Sequence, residues 1–361
     1  MKTAPRSLTS RMTFDKIVYN LTKGGAALAV FYLETGSCDP AYNLAFEEYV
    51  LKYRTVGSYL ILWQNHNAVI IGRNQNAEAE INRTFVDRNG IRVVRRNTGG
   101  GAVYHDLGNL NYSFISDAGP SESRTAARFT VPVVRTLRKL GLDAEASGRN
   151  DILVGGRKVS GTAQQLLHGR ILHHGTLLFD SDGDMIAGAL NPDPTKFQSK
   201  SIQSVRSRVG SIRHALSRDM TMPEFWQYLK NELCQEDMLP ASLSEEELSA
   251  VCRLKEEKYD TWEWNFGRSP AFQTVCRQRH SGGLLEIHLT VNHGIIQDIR
   301  ILGDFLAITE LSPLEQALSG CTYEESAIRQ ILEQFPLSDY LGSITCDEFL
   351  NTILHKTKEA S

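Results

Sequence analysis

The chain of 361 residues carries 39 basic and 42 acidic side chains, has a formal net charge of −3, and is 41% hydrophobic. This composition is that of a globular protein with room for two domains, and its balanced charge argues against a general nucleic-acid binder. The longest apolar run, 26–33, is far shorter than the ~20 residues that a membrane span needs, so we expect no membrane partner.

Two further bulk features concern the cellular compartment. The six cysteines are scattered without any regular spacing, which predicts reduced thiols. Residues 1–24 are basic, and we expect a disordered N-terminal extension. The expected location is cytoplasmic, with the mitochondrial matrix as the alternative if this extension is a transit peptide.

The first half of the chain predicts an α+β pattern. Asp39 and Pro40 suit the start of a helix that continues to about Tyr53. A polar helix is expected over 77–89, stopped by Gly90. The predicted strands are 26–33, 59–63, 68–72, 91–95, 102–105 and the alternating segment 110–114. We expect the last three to form hairpins that bring two turns to one end of a sheet.

The second half begins with a helical stripe over 129–140 that ends at Gly141, with a start or kink at Pro132. Gly155 and Gly156 predict a tight hairpin that places Lys158 on a strand. The later elements predicted are a loop at 191–200, helices at 222–233 and 244–259 joined by a linker at 234–243, a β-meander over 272–301, and amphipathic helices to the end. Ser244 is expected to cap the second of the two helices.

These elements predict a division into domains. The catalytic part is expected over 25–245, followed by a helical linker at 246–261 and a small α+β accessory domain at 262–361. We expect the small domain to act as a lid over a reactive intermediate.

The segment 95–109, RRNTGGGAVYHDLGN, is the most informative in the chain. Three consecutive glycines expose a row of backbone amides, because a chain without Cβ atoms can approach an anion closely. Arg95 and Arg96 stand beside them and can add charge-assisted hydrogen bonds. The pattern therefore predicts a site for a phosphate or a carboxylate.

This segment resembles the hallmark of the lipoate–protein ligase family. Two further family motifs follow in the expected order, GRNDILVGGRKVSGTA at 148–163 and HHGTLL at 173–178. Weaker similarity occurs at 43–45, 71–76, 204–208 and 261–267, so the resemblance covers nearly the whole chain. It implies a mixed-sheet, biotin/lipoate ligase-like catalytic domain with a small C-terminal α+β accessory domain.

The resemblance also implies an activity. Lipoate is joined to ATP as lipoyl-AMP with release of pyrophosphate, and the lipoyl group then passes to a lysine of an acceptor domain. The implied acceptors are the lipoyl domains of 2-oxoacid dehydrogenase complexes and the glycine cleavage H protein. We expect a monomer that uses ATP and Mg²⁺ and takes lipoate as its substrate.

Candidate site residues follow from the motifs. Lys158 is the catalytic candidate, because one ammonium can contact both a carboxylate and a phosphate. The candidates for binding ATP and lipoyl-AMP are Arg96, Gly99, Gly100, Gly101, Ala102, Val103, Tyr104 and Lys158. Those for binding lipoate or shaping its pocket are Arg73, His105, Asn150, Asp151, Lys158 and His174.

Some of these assignments have alternatives. Arg73 is expected either to reach the ligand or to pair with Glu78 or Glu80 on the following helix. Asp106, Asn150 and Asp151 are possible supports for Mg²⁺, of which Asp106 is taken as the metal candidate, whereas the histidine spacing does not suit zinc. We expect the loop 191–200 to order over the adenylate, with Lys200 and Arg206 nearby.

Related functions give competing hypotheses. Octanoyl transferases use a cysteine nucleophile near the acyl pocket, and the stretch 148–163 contains none. The signature of biotin ligases is also missing. An ATP-independent lipoyl-amidotransferase is the alternative within the family, and a non-catalytic acyl-adenylate binder is the alternative outside it.

Overall fold

The computed structural model describes residues 29–120, 125–148, 150–190, 209–234, 238–266, 274–292 and 294–354. Within them the strands are β1 (Val30–Glu34), β2 (Ser58–Trp63), β3 (Ala68–Ile71), β4 (Arg92–Arg95), β5 (Val103–His105), β6 (Asn109–Asp117), β7 (Ala144–Ser147), β8 (Asp151–Val154), β9 (Arg157–Leu167), β10 (Arg170–Leu178), β11 (Met238–Pro240), β12 (Thr274–His280), β13 (Gly283–Asn292) and β14 (Ile295–Gly303).

The helices of the described residues connect these strands. They are α1 (Pro40–Tyr53), α2 (Ala77–Glu80), α3 (Arg83–Arg88), α4 (Ala126–Lys139), α5 (Gly183–Ala189), α6 (Ile212–Ala215), α7 (Met222–Leu233), α8 (Glu245–Leu254), α9 (Trp262–Asn265), α10 (Ser312–Leu318), α11 (Glu325–Leu332), α12 (Leu337–Leu341) and α13 (Cys346–Ile353). A π-helical turn, Lys255–Tyr259, continues α8.

A mixed eight-stranded sheet forms the centre of the larger part, in the order β11-β1-β2-β6-β10-β9-β8-β7. The pairs β11–β1 and β1–β2 are parallel and the other pairs are antiparallel. Helices cover both faces of β2, so Leu60 packs toward α4 and α7 while Ile61 packs toward α1. Burial of both faces explains why β2 is apolar without alternation. The expected α+β fold with a mixed sheet is confirmed.

A separate three-stranded sheet, in the order β4-β3-β5, carries the glycine run. The expected hairpins between 91 and 114 are wrong, because β3 lies between β4 and β5, and β6 belongs to the large sheet. The run therefore arches over the end of β3. Gly72 marks the crossing, since a Cβ there would lie 1.9 Å from the carbonyl oxygen of Gly100.

Three smaller expectations also differ from the structure. The single helix over 77–89 is broken at Ile81, which is extended, buried and bridged to Leu190. The helix containing Pro132 begins six residues earlier, at Ala126, so the proline does not start it. The linker over 234–243 contains β11, which pairs with the exposed edge of β1.

Other predicted elements are confirmed. Asp39 caps α1 by accepting from the amides of Ala41 and Tyr42. Ser244 caps α8 in a reciprocal box with Glu247. The loop at 191–200, together with Lys200 and Arg206, lies outside the described residues.

The C-terminal domain packs α10–α13 on one face of the antiparallel meander β12-β13-β14. Its alternating positions Leu285, Ile287 and Leu289 face these helices and are fully buried, as the period of two predicts. The segment 303–310, which begins with the last residue of β14, turns back onto the larger domain. The contacts it makes there are part of the candidate site.

Candidate active site

The hairpin between β8 and β9 presents Lys158. Gly155 and Gly156 have φ of 54° and 75°, the left-handed pair that a two-residue turn of this kind requires. Lys158 Nζ lies 2.8 Å from Asp151 Oδ1 across the hairpin, and both side chains are about one-third exposed. The predicted strand position of Lys158 is confirmed. A cationic group is thus held in place at the rim of a cavity.

That cavity, of about 300 Å³, lies between the hairpin and the glycine run. Its walls combine a polar rim with an apolar interior, and residues of the C-terminal domain close one side. The lining residues are Leu44, Trp63, Ile70, Arg96, Gly100, Gly101, Ala102, Val103, His105, Asn111, Asn150, Asp151, Lys158, Gly161, Thr162, Ala163, His174, Gly175, Thr176, Arg279, Asp304 and Leu306. The structure thus brings together most of the residues that the motifs single out.

Arg96 is buried beneath the glycine run. Its guanidinium donates to the carbonyls of Gly99 at 2.6 Å and Gly101 at 2.9 Å, to Ile70 O at 3.1 Å, and to Thr98 Oγ1 at 2.9 Å. These bonds use four of its five N–H groups. Burial lowers the pKa of Arg96 to about 10, so the group stays charged at neutral pH. Arg96 therefore holds the shape of the run, and its contact with a phosphate stays a prediction.

Arg95 points the other way. It is fully buried and donates to the carbonyls of Gly72, Gln75 and Asn265, among others. Successive residues of a strand face opposite sides. Because Arg95 and Arg96 are the end of β4 and the residue after it, they cannot both reach one ligand. Arg95 instead ties the end of β3 to α9.

A chain of buried hydrogen bonds runs from Trp63, at the apolar side of the cavity, to the glycine run. Trp63 Nε1 donates to Ser113 Oγ at 2.9 Å, and Ser113 Oγ donates to Glu47 Oε1 at 2.5 Å. Glu47 also contacts His174 Nδ1 at 2.9 Å, and His174 Nε2 lies 2.8 Å from Thr98 Oγ1. The carboxylate fixes Nδ1 as the protonated nitrogen, so Nε2 accepts from Thr98. We call this chain the relay.

Glu47 was missed by sequence reasoning, although a signal exists. It lies on α1 three residues after Leu44 and four before Leu51, both fully buried. Those spacings place a carboxylate on the apolar face of the helix. A buried acid needs a partner, and here the partners are His174 and Ser113.

A second ionic cluster supports the glycine run from behind. Glu48 Oε2 accepts from Lys258 Nζ at 2.7 Å, from the Tyr259 hydroxyl at 2.6 Å, and from Asn97 Nδ2 at 2.8 Å. Burial raises the pKa of this carboxyl, but Lys258 and the hydrogen bonds outweigh it and lower the pKa to about 2. The π-helical turn after α8 is thereby attached to the start of the run.

His105 and His173 are both buried, but only His105 lines the cavity. Asn65 Nδ2 lies 3.1 Å from His105 Nδ1. The ring of His173 stacks on Phe129, with centroids 4.9 Å apart. Burial lowers the pKa of each histidine to about 3. In the described part of the chain no group of three His, Cys, Asp or Glu residues is arranged to hold a metal.

The remaining candidates lie at the edge of the site. Asn150 lines the cavity, and its Nδ2 donates to Thr162 O at 3.0 Å. Tyr104 is turned away from the cavity toward Asn67, at 3.1 Å. The Asp106 carboxylate accepts from the backbone amides of Gly108 and Asp182, so it stabilises a turn.

Arg73 binds the C-terminal domain. Its guanidinium lies 2.5 Å from Glu310 Oε1, an acid that neither expectation for Arg73 included. Backbone bonds join the same surfaces, from Gly100 N to Phe305 O at 3.0 Å and from Leu166 N to Ile308 O at 2.6 Å. The segment 303–310 is thus pinned across the glycine run. Sequence reasoning missed this, because these contacts join segments that are far apart in the sequence.

Comparison with known proteins gives the family. Residues 39–234 match the model of the lipoyl protein ligase A/B catalytic domain, and residues 269–353 match that of the bacterial lipoate protein ligase C-terminus. The chain belongs to the lipoate–protein ligase family. The resemblance and the enzyme class inferred from the sequence are confirmed.

Relatives of this ligase match along most of their length. Lipoate-protein ligase LplJ of Bacillus subtilis is 43% identical over 320 residues, which cover 87% of this chain and 97% of that protein. Lipoate–protein ligase 1 of Staphylococcus aureus is 40% identical over 314 residues, covering 86% and 96%.

Solved structures share the fold. LipL1 of P. falciparum in complex with lipoate superposes with a TM-score of 0.74 at 25% identity, covering 91% of this chain and all of that one. A lipoate-protein ligase A bound with ATP superposes with a TM-score of 0.55 at 32% identity, covering 66% of this chain and 98% of that one. A bi-partite ligase of Thermoplasma acidophilum, described with its E2 lipoyl domain, superposes with a TM-score of 0.56 at 32% identity. The match covers 68% of this chain and 98% of that one.

In the residues that the structure describes, every helix is too short or too polar to cross a bilayer.

Proposed function

We propose that this ligase activates lipoate with ATP and then transfers the lipoyl group to a lysine of an acceptor lipoyl domain. In the first step a lipoate carboxylate oxygen bonds to the α-phosphorus, and the bond from that phosphorus to pyrophosphate breaks. In the second step the lysine amine attacks the acyl carbonyl, AMP leaves, and the amine loses a proton. Similarity to ligases solved with lipoate and with ATP supports both substrates.

The observation that carries this proposal is the position of Lys158. Its ammonium is held by Asp151 at 2.8 Å, on the cavity wall that faces the glycine run. Two anions, a carboxylate and an α-phosphate, must approach each other in the first step. A cation fixed between them beforehand lowers the barrier, and loss of one such preorganised group typically costs ~10²–10³ in rate.

The proposed acceptors are lipoyl domains of 2-oxoacid dehydrogenase complexes and the glycine cleavage H protein. The pairing of the Thermoplasma ligase with an E2 lipoyl domain supports this class of partner. The two-step scheme requires the adenylate to survive until the acceptor arrives, so water must be kept from it.

We assign that task to the C-terminal domain, within a division into a catalytic domain at 25–245, a linker at 246–261 and an accessory domain at 262–361. Leu306 and Asp304 line the cavity, and Phe305 O accepts from Gly100 N. A segment that contacts the glycine run in this way has to move before a macromolecular acceptor can reach the adenylate. The proposed cycle is therefore closed during adenylation and open during transfer.

Magnesium is proposed to enter with the nucleotide. Asp106, the expected metal support, has its carboxylate engaged by two backbone amides, so it does not fit the role of a ligand. Mg²⁺ commonly keeps several waters and binds through substrate phosphates rather than in an all-protein cage. The engaged carboxylate of Asp106 and this binding preference of Mg²⁺ are both consistent with MgATP as the true substrate.

The test is lipoate-dependent ATP–pyrophosphate exchange on the purified chain without an acceptor protein. We expect exchange that requires Mg²⁺ and lipoate, and that falls ~10²–10³-fold in Lys158→Ala. Arg157→Ala is the matched control, because Arg157 is an exposed cation on the same hairpin and does not line the cavity. No exchange, in a protein that still moves lipoyl between carrier domains, would identify an ATP-independent amidotransferase instead.

A further inference from the structure

The C-terminal domain contributes two charged side chains to the cavity wall. Arg279, on β12, and Asp304, which follows β14, both line the cavity. Arg279 Nη2 lies 3.3 Å from Asp304 Oδ2, and Asp304 is only 6% exposed. Asp304 Oδ1 in turn accepts from the backbone amide of Leu284 at 2.5 Å. A buried carboxylate thus holds the guanidinium of Arg279 at this wall.

Strand alternation gives the direction in which Arg279 points. Its neighbours Gln278 and His280 both contact Thr352 on α13, so they lie on the face of the sheet that packs against the helices. Arg279 lies between them and leaves the opposite face, as does its cross-strand partner Leu284. The guanidinium therefore extends away from the core of its own domain and toward the cavity that it lines.

Backbone hydrogen bonds hold the Arg279–Asp304 pair against the glycine run. Gly303 N donates to Asn74 O at 2.6 Å, and Phe305 O accepts from Gly100 N at 3.0 Å. Asp304 is the residue between these two contacts, and Gly100 lines the same cavity. The pair is therefore fixed beside the segment that is predicted to bind phosphate.

The charges of the first step require more than one cation. Among the described residues, three lysine or arginine side chains line the cavity, namely Arg96, Lys158 and Arg279. Arg96 uses four of its five N–H groups on the protein, and Lys158 is assigned to the carboxylate and the α-phosphate. Cleavage of the bond to pyrophosphate leaves negative charge on the leaving group, and a donor placed there beforehand stabilises that charge. Of the three, Arg279 remains for this role, and a guanidinium matches the geometry of phosphate oxygens.

We infer that Arg279 binds the β- and γ-phosphates of ATP and, after the first step, the pyrophosphate that leaves. This inference rests on the proposed function, because it takes ATP as the substrate. A guanidinium has five N–H donors, so one group can serve both the Asp304 carboxylate and a phosphate. Because Arg279 belongs to the domain that closes the cavity, a nucleotide with these two phosphates favours the closed arrangement.

The experiment measures two quantities in the full-length chain. One is the KM for pyrophosphate in lipoate-dependent ATP–pyrophosphate exchange. The other is the dissociation constant of a lipoyl-sulfamoyl adenosine, a stable analogue of the adenylate that lacks the β- and γ-phosphates. A residue that binds these two phosphates affects the first quantity and not the second.

Three variants separate binding from a structural role. Arg279→Met removes the cation and keeps much of the stem. Arg277→Met is the matched control, because Arg277 leaves the same face of β12 and lies 3.4 Å from Glu286, but it is absent from the cavity lining. Asp304→Asn keeps an oxygen for the amide of Leu284 and removes the charge that competes with a phosphate for Arg279.

We expect Arg279→Met to raise the KM for pyrophosphate about ten- to hundredfold, the value of one hydrogen bond to a charged group, and to bind the analogue as tightly as wild type. Arg277→Met should match wild type in both measurements. Asp304→Asn should lower the KM for pyrophosphate, whereas a purely structural role of the pair predicts a rise in this variant as well.

An unchanged KM in Arg279→Met overturns the inference, and so does an equal rise in Arg277→Met or in Asp304→Asn. A loss of affinity for the analogue as large as the rise in KM overturns it too, because the analogue has no phosphate for Arg279 to bind. In each of these cases exchange by the wild-type chain leaves the proposed function standing. Absence of exchange in the wild-type chain overturns that function itself.

Discussion

Replacing Lys258 by methionine should destabilise the catalytic domain and do so in a pH-dependent way. Lys258 Nζ lies 2.7 Å from Glu48 Oε2 and 2.8 Å from Asn97 Oδ1, and it stands 4.1 Å from the centroid of the Trp264 ring. Methionine keeps most of the apolar stem and removes the charge. Glu48, only 3% exposed, then loses its principal counter-charge.

The contribution of the Glu48 carboxylate to the free energy of unfolding follows from its pKa. Burial raises it, but Lys258 and the hydrogen bonds of Lys52 and Tyr259 lower it from an ordinary value of 4.5 to about 2. At 1.36 kcal/mol per pKa unit this corresponds to about 3 kcal/mol. A group with a lowered folded pKa stabilises fully above the unfolded value, so this contribution is present above pH 4.5. It is lost as the pH falls toward about 2.

Removal of one partner from a buried pair usually costs ~3–5 kcal/mol, and Lys52 still pairs with Glu48 in the variant. We therefore expect Lys258→Met to lower the free energy of unfolding by about 3 kcal/mol at pH 7. The difference from wild type should shrink on acidification, because the carboxyl in the variant takes up a proton at higher pH. Adding Glu48→Gln to Lys258→Met should restore part of the loss at neutral pH.

The assay is urea unfolding followed by tryptophan fluorescence, at neutral pH and near pH 4, for wild type, Lys258→Met and the double variant. Lys255→Met is a suitable control, because Lys255 is on the same turn and pairs with the partly exposed Asp260. A Lys258→Met protein as stable as wild type at pH 7 would refute the argument. So would a loss of stability that is the same at both pH values.

Three more predictions concern the site itself. Lys158→Arg should recover little of the adenylation lost in Lys158→Ala, since a planar guanidinium with a delocalised charge does not replace the compact ammonium placed between two anions; single-turnover lipoyl-AMP formation measures this, and full recovery would contradict it. Thr98→Val removes the hydroxyl that joins the relay at His174 to Arg96. Steady-state kinetics should then show a roughly tenfold loss in kcat/KM for adenylation, and an unchanged kcat/KM would show that the relay is only structural. Glu310→Ala should increase the rate of hydrolysis of bound lipoyl-AMP roughly two- to fivefold, because it removes the ion pair to Arg73. The control Glu325→Ala removes an ion pair within the C-terminal domain and should leave that rate unchanged.

The parts of the site that the sequence predicted are those determined over short distances. The two glycines at 155–156 determine the hairpin, and the hairpin determines where Lys158 lies. The capping residues Asp39 and Ser244 determine where two helices begin. Each of these depends on local backbone conformation, which a few neighbouring residues are sufficient to set.

The parts that were missed depend on pairing between distant segments. Insertion of β3 between β4 and β5 has no local signature, because β4 and β5 would suit a hairpin equally well. The contact of segment 303–310 with the glycine run joins two domains. The opposite roles of Arg95 and Arg96 could have been predicted, since strand alternation separates neighbouring side chains onto different faces.

Helix α1 explains how these distant parts acquire one geometry. Three of its polar residues are almost fully buried, and each supports a different piece of the site. Asn43 orients Asn65 behind His105, Glu47 binds His174, and Glu48 binds Asn97 and Lys258. Asn43 and Glu47 are four residues apart and share a face, while Glu48 is turned toward α8 and the π-helical turn.

One helix therefore fixes the apolar end of the cavity and the glycine run relative to each other. Adenylation needs that relation, because a carboxylate and a phosphate held at separate sites must meet within bonding distance. The same arrangement explains why α1 carries polar groups where an amphipathic helix would carry apolar ones. Their burial is compensated by hydrogen bonds, and those bonds position the site.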